Sequence, residues 1–230
     1  MTIGLAIFAK NSNLSPVKTR LAETVGVDAA IEFYRLSLAA VTENVKEVQS
    51  YTNSYVNVYW ALAEQESIHL PEWQCFDTLW TGEGELGERL HNVYSTLLEK
   101  HEAVIIIGSD SPCMPQSIIY DAIECLQATE GVVFSGVSDG GFCLMAGNVP
   151  IDKQILNSVK YSEKSTLADL SAAIAAHKIA ISYIQEHFDV DRYNDLHTML
   201  DYINQHELSS AAISDIKQYA GGVIANINNS

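Results

Sequence analysis

Apolar positions recur along this chain with two alternating periods, and the alternation predicts its architecture. At Ile3–Phe8 and Val104–Ile107 they run on without interruption, as in strands buried on both faces of a parallel sheet. Between them the period becomes helical: across Asp28–Val48, the residues Ala30, Tyr34, Leu38, Val41, Val45 and Val48 form one stripe. Further strands are predicted at Tyr55–Leu62, Gln74–Trp80, Gly131–Ser135, Phe142–Ala146 and Lys178–Ile184. Helices are predicted from Leu86 to Lys100, and after Pro115, where Ile119, Ala122, Ile123 and Leu126 share a face. Others follow at Ile151–Val159, at Glu163–Ala176 behind a Ser162 cap, at Tyr193–Gln205 and at Leu208–Tyr219.

Strand and helix signals alternate to the end, with no internal repeat and no low-complexity linker. The reading is a single α/β domain over residues 1–220, a three-layer sandwich with a mostly parallel sheet. Residues 221–230, ending Asn-Asn-Ser, are expected to fray as a flexible tail.

Charge narrows the partners. Thirteen Lys and Arg against 29 Asp and Glu give a net charge of -16, which argues against the basic face that nucleic acid or an anionic membrane requires. No apolar run approaches the ~20 residues of a membrane span, and Ile3–Phe8 is too short for a signal sequence core. Cys75, Cys113, Cys125 and Cys143 show no CxxC and no zinc spacing, so reduced thiols in a cytoplasmic protein are expected. The seven histidines show no ligand spacing. Nothing in the sequence signals an oligomeric state.

Candidate chemistry gathers where the predicted strands end. Val104–Ile107 leads into Gly108-Ser109-Asp110-Ser111-Pro112, which puts Asp110 outside a strand's carboxyl end, where α/β sheets bind ligands. A hard carboxylate there suits a divalent cation carrying a phosphate ester, or else it only bonds turn amides. Lys10, Lys18 and Arg20 lie within eleven positions after the first strand, where even spreading of 13 cations gives about 0.6. Lysine offers phosphate a point charge and arginine a fork. No GxxxxGK[ST] and no GxGxxG occurs there, which excludes a Walker loop and a dinucleotide fingerprint. Asp139-Gly140-Gly141 is either a close-approach loop or a hairpin turn. Asp189-Val190-Asp191 follows the last predicted strand and supplies two more carboxylates, or else a helix start that favours acids. Glu85-Leu86-Gly87-Glu88-Arg89 opens a helix whose amide end is a candidate anion site.

Six segments taken in order carry a resemblance: Phe8–Lys10, Val17–Leu21, Gly84–Arg89, Gly108–Pro112, Asp139–Phe142 and Asp189–Asp191. Together they resemble the bacterial nucleotide-diphospho-sugar transferase-like family, glycosyltransferases of the GT-A fold, some associated with arsenosugar biosynthesis. The layout is also similar to molybdenum-cofactor and phospholactate guanylyltransferases. The resemblance spans about Ile3 to Leu200 and implies a Rossmann-like nucleotide domain, a Mg²⁺ or Mn²⁺ ion, and a nucleotide or nucleotide-sugar substrate. By matching position it implies phosphate contacts from Lys10, Lys18 and Arg20. It gives Asp110 to the metal with Asp191 as a second ligand, and places Asp139, Gly140 and Gly141 beside the sugar or acceptor pocket. Lys18 and Asp110 would then be the catalytic pair. Two departures stand out: Ser15 occupies the place of a loop glycine, and Phe142-Cys143 replaces an aromatic pair.

The expected activity is metal-dependent glycosyl transfer from a nucleotide-diphosphate donor to an acceptor the residues do not name. The alternatives are nucleotidyl transfer that makes a nucleotide-activated product, or a nucleotide-binding module without chemistry. The leaving group is anionic phosphate in both transfers, so the same cations serve either. No Ser- or Cys-nucleophile motif surrounds Ser109, Ser111 or Cys113, which argues against a hydrolase.

Overall fold

Unbroken apolar strands need cover on both faces, and the chain supplies it with helices above and below one sheet. The structure is a computed structural model that describes residues 1–52 and 55–229. Its strands are β1 (Ile3–Ala9), β2 (Val56–Leu62), β3 (Asp77–Trp80), β4 (Ala103–Gly108), β5 (Val132–Val137), β6 (Phe142–Gly147) and β7 (Ile181–His187). They form one sheet in the order β3-β2-β1-β4-β6-β5-β7. β6 runs antiparallel to both of its neighbours, and the other pairings are parallel.

The α/β reading and its mostly parallel sheet are therefore borne out. From β1 the chain builds outward to β2 and β3 on one side, then returns to place β4 on the other. The β1–β4 boundary is thus a topological switch point, the place where open α/β sheets bind ligands. Phe8 pairs with Gly108 there, so Lys10 and Asp110 leave the sheet side by side.

The helices are α1 (Thr19–Val25), α2 (Val27–Tyr51), α3 (Leu86–Leu98), α4 (Gln116–Ala128), α5 (Lys153–Asn157), α6 (Thr166–Ala176), α7 (Tyr193–Gln205) and α8 (Ala211–Asn228). Alternation along β1 sends Ile3, Leu5 and Ile7 to the face covered by α2 and α4. Ala6 joins Val104 and Ile106 against α3, α5 and α6. A third cluster lies outside the sheet, where Leu21, Phe33, Cys113, Val190, Met199 and Ile216 tie α1, α2, α7 and α8 together.

Several elements differ from the sequence expectation. The long polar loop after β1 closes into α1, which the pattern does not announce. The third strand is only Asp77–Trp80, because Pro71–Trp73 forms a 3-10 turn first. The last strand begins at Ile181 rather than Lys178, which sits in a left-handed turn at φ 62. Ser162 (φ 62) is likewise a turn residue, and Ser165 stands at the start of α6. α8 continues to Asn228, past the Gly221-Gly222 pair, because Val223 and Ile224 extend its apolar stripe onto the third cluster. Among the described residues, no helix is long and apolar enough to cross a membrane.

Candidate functional site

Two strand exits define the site, and α2 holds both of them. Tyr34 is buried on α2, and its hydroxyl accepts from the Lys10 amide (2.8 Å) and donates to the Lys10 carbonyl (3.1 Å). One turn later Ser37 Oγ donates to the Ser109 carbonyl at 2.6 Å. Burial pushes the Tyr34 phenol up to about 12, so it remains a donor at any physiological pH.

After Lys10 the chain is shaped by Asn11, which is 3% exposed. Its amide donates to Glu64 (2.8 Å), its Nδ2 to Glu72 (3.0 Å), and its Oδ1 accepts from Asn13 N (2.9 Å). Its carbonyl accepts from the amides of Leu14 and Ser15. Among the described residues Ser15 is not in the left-handed region, so this loop does without a glycine there. The left-handed residue is Lys18, at φ 47 and ψ 42.

That conformation turns the Lys18 side chain inward. Its Nζ lies 2.5 Å from Asp110 Oδ1, 2.6 Å from the Val190 carbonyl and 3.7 Å from Asp191 Oδ1. The side chain is 2% exposed. A buried ammonium must be compensated, and here two carboxylates and a carbonyl surround it. Arg20, the second residue of α1, reaches Asp191 Oδ2 at 3.0 Å. The Val190 amide donates to the Asp110 carbonyl at 2.9 Å, which stitches the last loop to the β4 exit. Asp195 fixes that loop from below by accepting from the amides of Asp191 (2.9 Å) and Arg192 (2.7 Å).

Lys18, Arg20, Asp110 and Asp191 therefore meet, although as many as 173 positions separate them in sequence. Lys18 faces carboxylates here rather than open space, while Arg20 is half-exposed. Lys10 is exposed, and it is bound through its backbone to Tyr34.

Asp189 stands beside this group. Its carboxyl is pushed up to about 6, first by burial and then by the negative charges of Asp191, Asp139 and Asp110, with Lys18 opposing. Four carboxylates thus face two cations. Among the described residues, no group of three or more His, Cys, Asp or Glu side chains is arranged to hold a metal.

The glycine motifs lie close against the protein's own backbone. Asp139 Oδ1 accepts from Gly141 N at 2.9 Å, and the Val137 and Gly140 amides close a hairpin between β5 and β6. Gly140 sits at φ 93, and a Cβ there would lie 2.0 Å from the Lys164 carbonyl oxygen. Its conformation serves the approach of the segment leading into α6. At the start of α3, a Cβ on Gly87 would lie 2.4 Å from the Leu156 carbonyl of α5. Glu88 accepts from the Glu85 amide (3.3 Å) and pairs with Lys153 (2.9 Å), so the candidate amide end is already capped. Arg89 binds the carbonyls of Gly84 (2.9 Å) and Ala63 (3.2 Å) and pins the loop.

Sequence reasoning passed over Tyr34, Ser37, Asn11 and Asp195. Tyr34 and Ser37 were hidden because both sit on a buried helical face; Asn11 and Asp195 looked like ordinary polar residues of a loop and a helix start. Cys113 is 3% exposed, and burial pushes its thiol up to about 12, which excludes it as a nucleophile. One groove of about 570 Å³ lies between α2 and α8, and another of about 950 Å³ borders the site at Lys10 and runs beside Trp73. Neither is lined by Asp110, Asp191 or Lys18.

No curated protein matches this sequence. Residues 50–163 match the model of a family described as "Uncharacterized protein conserved in bacteria (DUF2064)", a stretch that includes Asp110 and Asp139–Gly141 but not Lys18 or Asp191. Among solved structures, a "putative nucleotide-diphospho-sugar transferase" from Desulfovibrio desulfuricans G20 is similar with a TM-score of 0.83 at 19% identity, covering 99% of each chain. CMP:2-keto-3-deoxy-manno-octonic acid synthetase, complexed with CTP, is similar with a TM-score of 0.56 at 11% identity, covering 90% of this chain and 100% of that one. The 4-diphosphocytidyl-2C-methyl-D-erythritol synthase of Anaerococcus prevotii DSM 20548 is similar with a TM-score of 0.51 at 11% identity, covering 88% and 98%. The chain thus has, from end to end, the nucleotide-diphospho-sugar transferase-like fold that its motifs resemble, and its residues 50–163 match the DUF2064 pattern.

Proposed function

We propose that this protein transfers a sugar from a nucleotide-diphosphate donor, with the phosphates lying over the exits of β1 and β4. The observation that carries this reading is the meeting of Lys18, Arg20, Asp110 and Asp191 at the switch point. Likeness to the Desulfovibrio protein supports the choice of sugar transfer. The two cytidylyl-type neighbours favour a second reading, nucleotidyl transfer, in which a nucleotide-activated product forms and pyrophosphate leaves.

Arg20 and Lys10, exposed at the same edge, bind phosphate oxygens and neutralise the charge that grows on the leaving group. Lys18 acts from beneath. It holds Asp110 in place and offsets its charge, so that the outer carboxylate face stays directed at the ligand. Asp110 and Asp191 are the residues that would hold Mg²⁺ or Mn²⁺: both are partly exposed carboxylates, the oxygen donors such ions prefer. A bound divalent ion would supply positive charge to the leaving phosphate. The excess of carboxylates over cations around Asp189 supports a positive guest.

A thermal-shift series with nucleoside diphosphates, nucleoside triphosphates and nucleotide sugars, each with and without Mg²⁺ or Mn²⁺, tests the reading. The expected result is a metal-dependent rise in Tm that Asp110→Asn abolishes. Product analysis for released nucleoside diphosphate against pyrophosphate then separates the two transfers. If no nucleotide raises Tm with either metal, the proposal fails.

A further inference from the structure

The sheet has two edges, and the chain treats them differently. β3 is four residues long and follows a 3-10 turn, so it offers little for another strand to pair with. β7, the opposite edge, is seven residues long and carries neither proline nor lysine to discourage a further strand. Its pairing with β5 fixes which backbone groups point outward. The Val132 amide donates to the Ala180 carbonyl (2.9 Å), and Val132 stands opposite Ile181 in a parallel ladder. In such a ladder the amides and carbonyls of Ser182 and Ile184 turn towards β5, and those of Ile181 and Tyr183 turn away. Among the described residues, no loop backbone bonds to Ile181 or Tyr183.

The side chains of this edge are equally unclaimed. Tyr183 is 61% exposed, and among the described residues it is the only exposed large apolar side chain inside a strand. Lys178, in its left-handed turn before β7, and Glu186, near the strand's end, are both exposed. Neither forms an ion pair among the described residues. Glu186 lies along Gly136 of β5, where a Cβ would meet its Cγ at 3.6 Å, and its exposed side chain is free to change rotamer.

We infer that β7 pairs with β7 of a second copy of this chain, antiparallel about a two-fold axis through Ser182, so that two sheets become one. In that register Ile181 and Tyr183 stand opposite each other across the axis and exchange their outward amide-to-carbonyl bonds. The Tyr183 ring then covers Ile181 of the other copy, an aromatic and β-branched cross-strand pair. Lys178 and Glu186 meet at both ends, a cation beside an acid each time. Registers centred on Ile181 or on Tyr183 satisfy the same backbone groups, but they set Lys178 beside Ile184 or Glu186 beside Ala180. Charge therefore selects the Ser182 axis. A second copy is the fitting occupant because this strand is its own complement under that two-fold. The register shift opposite Ser135–Val137 bends β7 after Ile184, which keeps the pairing short and the dimer weak. This surface does not depend on the reading given to the Lys18–Asp110 group.

Sedimentation velocity of the intact chain from about 1 to 200 µM tests it, since so small an edge should dimerise with a dissociation constant on the order of 10 µM. Tyr183→Pro removes an outward amide that β5 does not use, so Tm holds while the protein stays monomeric across that range. Glu186→Lys and Lys178→Glu each weaken the dimer about three- to tenfold, and combining them restores it. Ser182→Cys, oxidised with copper–phenanthroline, gives a covalent dimer joined through the two introduced thiols, because a pair on the axis brings its Cα atoms to about 4.5 Å. If Tyr183→Pro fails to fold, the charge swap and the disulfide decide. The proposal is overturned if the wild-type chain is monomeric throughout, if folded Tyr183→Pro dimerises as well as wild type, if the double swap does no better than either single change, or if the introduced thiols do not join each other.

Discussion

Two regions at the same sheet edge carry acids, and they are built oppositely. Around Asp110 the bonds span the chain, from Lys18 to residues 92 to 173 positions away. Around Asp139 the carboxylate bonds locally, to the Gly141 amide, and the hairpin closes within five residues, while the Gly140 carbonyl accepts from the Leu167 amide. Long-range bonds between charged groups hold side chains in place that the backbone alone would not fix. Local bonds merely shape a turn. The first region is where we propose the ligand chemistry, and the second is a turn held by its own backbone.

Removing Lys18 attacks that distinction most directly. Lys18→Met leaves Asp110 and Asp191 without their buried counter-charge and should cost about 2–4 kcal/mol in urea unfolding, less than a fully buried pair because Asp110 is half-exposed. Pairing it with Asp110→Asn should recover part of the loss; strict additivity would show that the two do not interact. Gly140→Ala should cost about 1–3 kcal/mol through its positive φ and its clash with Lys164, yet leave nucleotide-induced Tm shifts intact. Loss of those shifts in a folded Gly140→Ala protein would move the hairpin from scaffold into the ligand site.

Asp189→Asn should stabilise the fold at pH 7 and above, on the order of 1–2 kcal/mol after allowing for solvent screening. The sign follows from linkage. A carboxyl raised from 3.8 to about 6 binds protons more tightly when folded, so its burden grows as pH rises through that window and is absent below it. His187 acts in the opposite sense. Burial, with the nearby His206, lowers it to about 4, so its neutral form favours folding above pH 6.5, and that benefit fades as pH falls towards 4. The wild-type minus His187→Gln stability difference should therefore shrink between pH 6.5 and 4. Arg20→Ala should be the mildest change, about 0.5–1 kcal/mol for a half-exposed pair, while weakening phosphate binding. If Arg20→Ala leaves nucleotide affinity unchanged, the cations of this edge do not serve the ligand.

Much of the frame was legible because burial imposes a period. β1, β4 and α2 were found from their apolar residues, and Asp110 from its place after such a run. α1 was not legible, since only Leu21 of its seven residues is buried and its start depends on the Lys18 backbone. The reversed direction of β6 depends on pairing, which no residue of Phe142–Gly147 encodes by itself. The inward turn of Lys18 was invisible for the same reason. A cation near a strand end reads as ligand-facing until three-dimensional neighbours claim it, and the carboxylates of a loop over 170 residues downstream did so.

The grip of α2 on the strand exits has a mechanical consequence. Tyr34 and Ser37 lie one helical turn apart, and each fastens a different strand end, so neither exit can shift without the other. A tilt or slide of this 25-residue rod would therefore pull on both strand ends together. The far bank is fastened differently, by Asp195 to the Asp191 and Arg192 amides and by the Val190 amide to the Asp110 carbonyl.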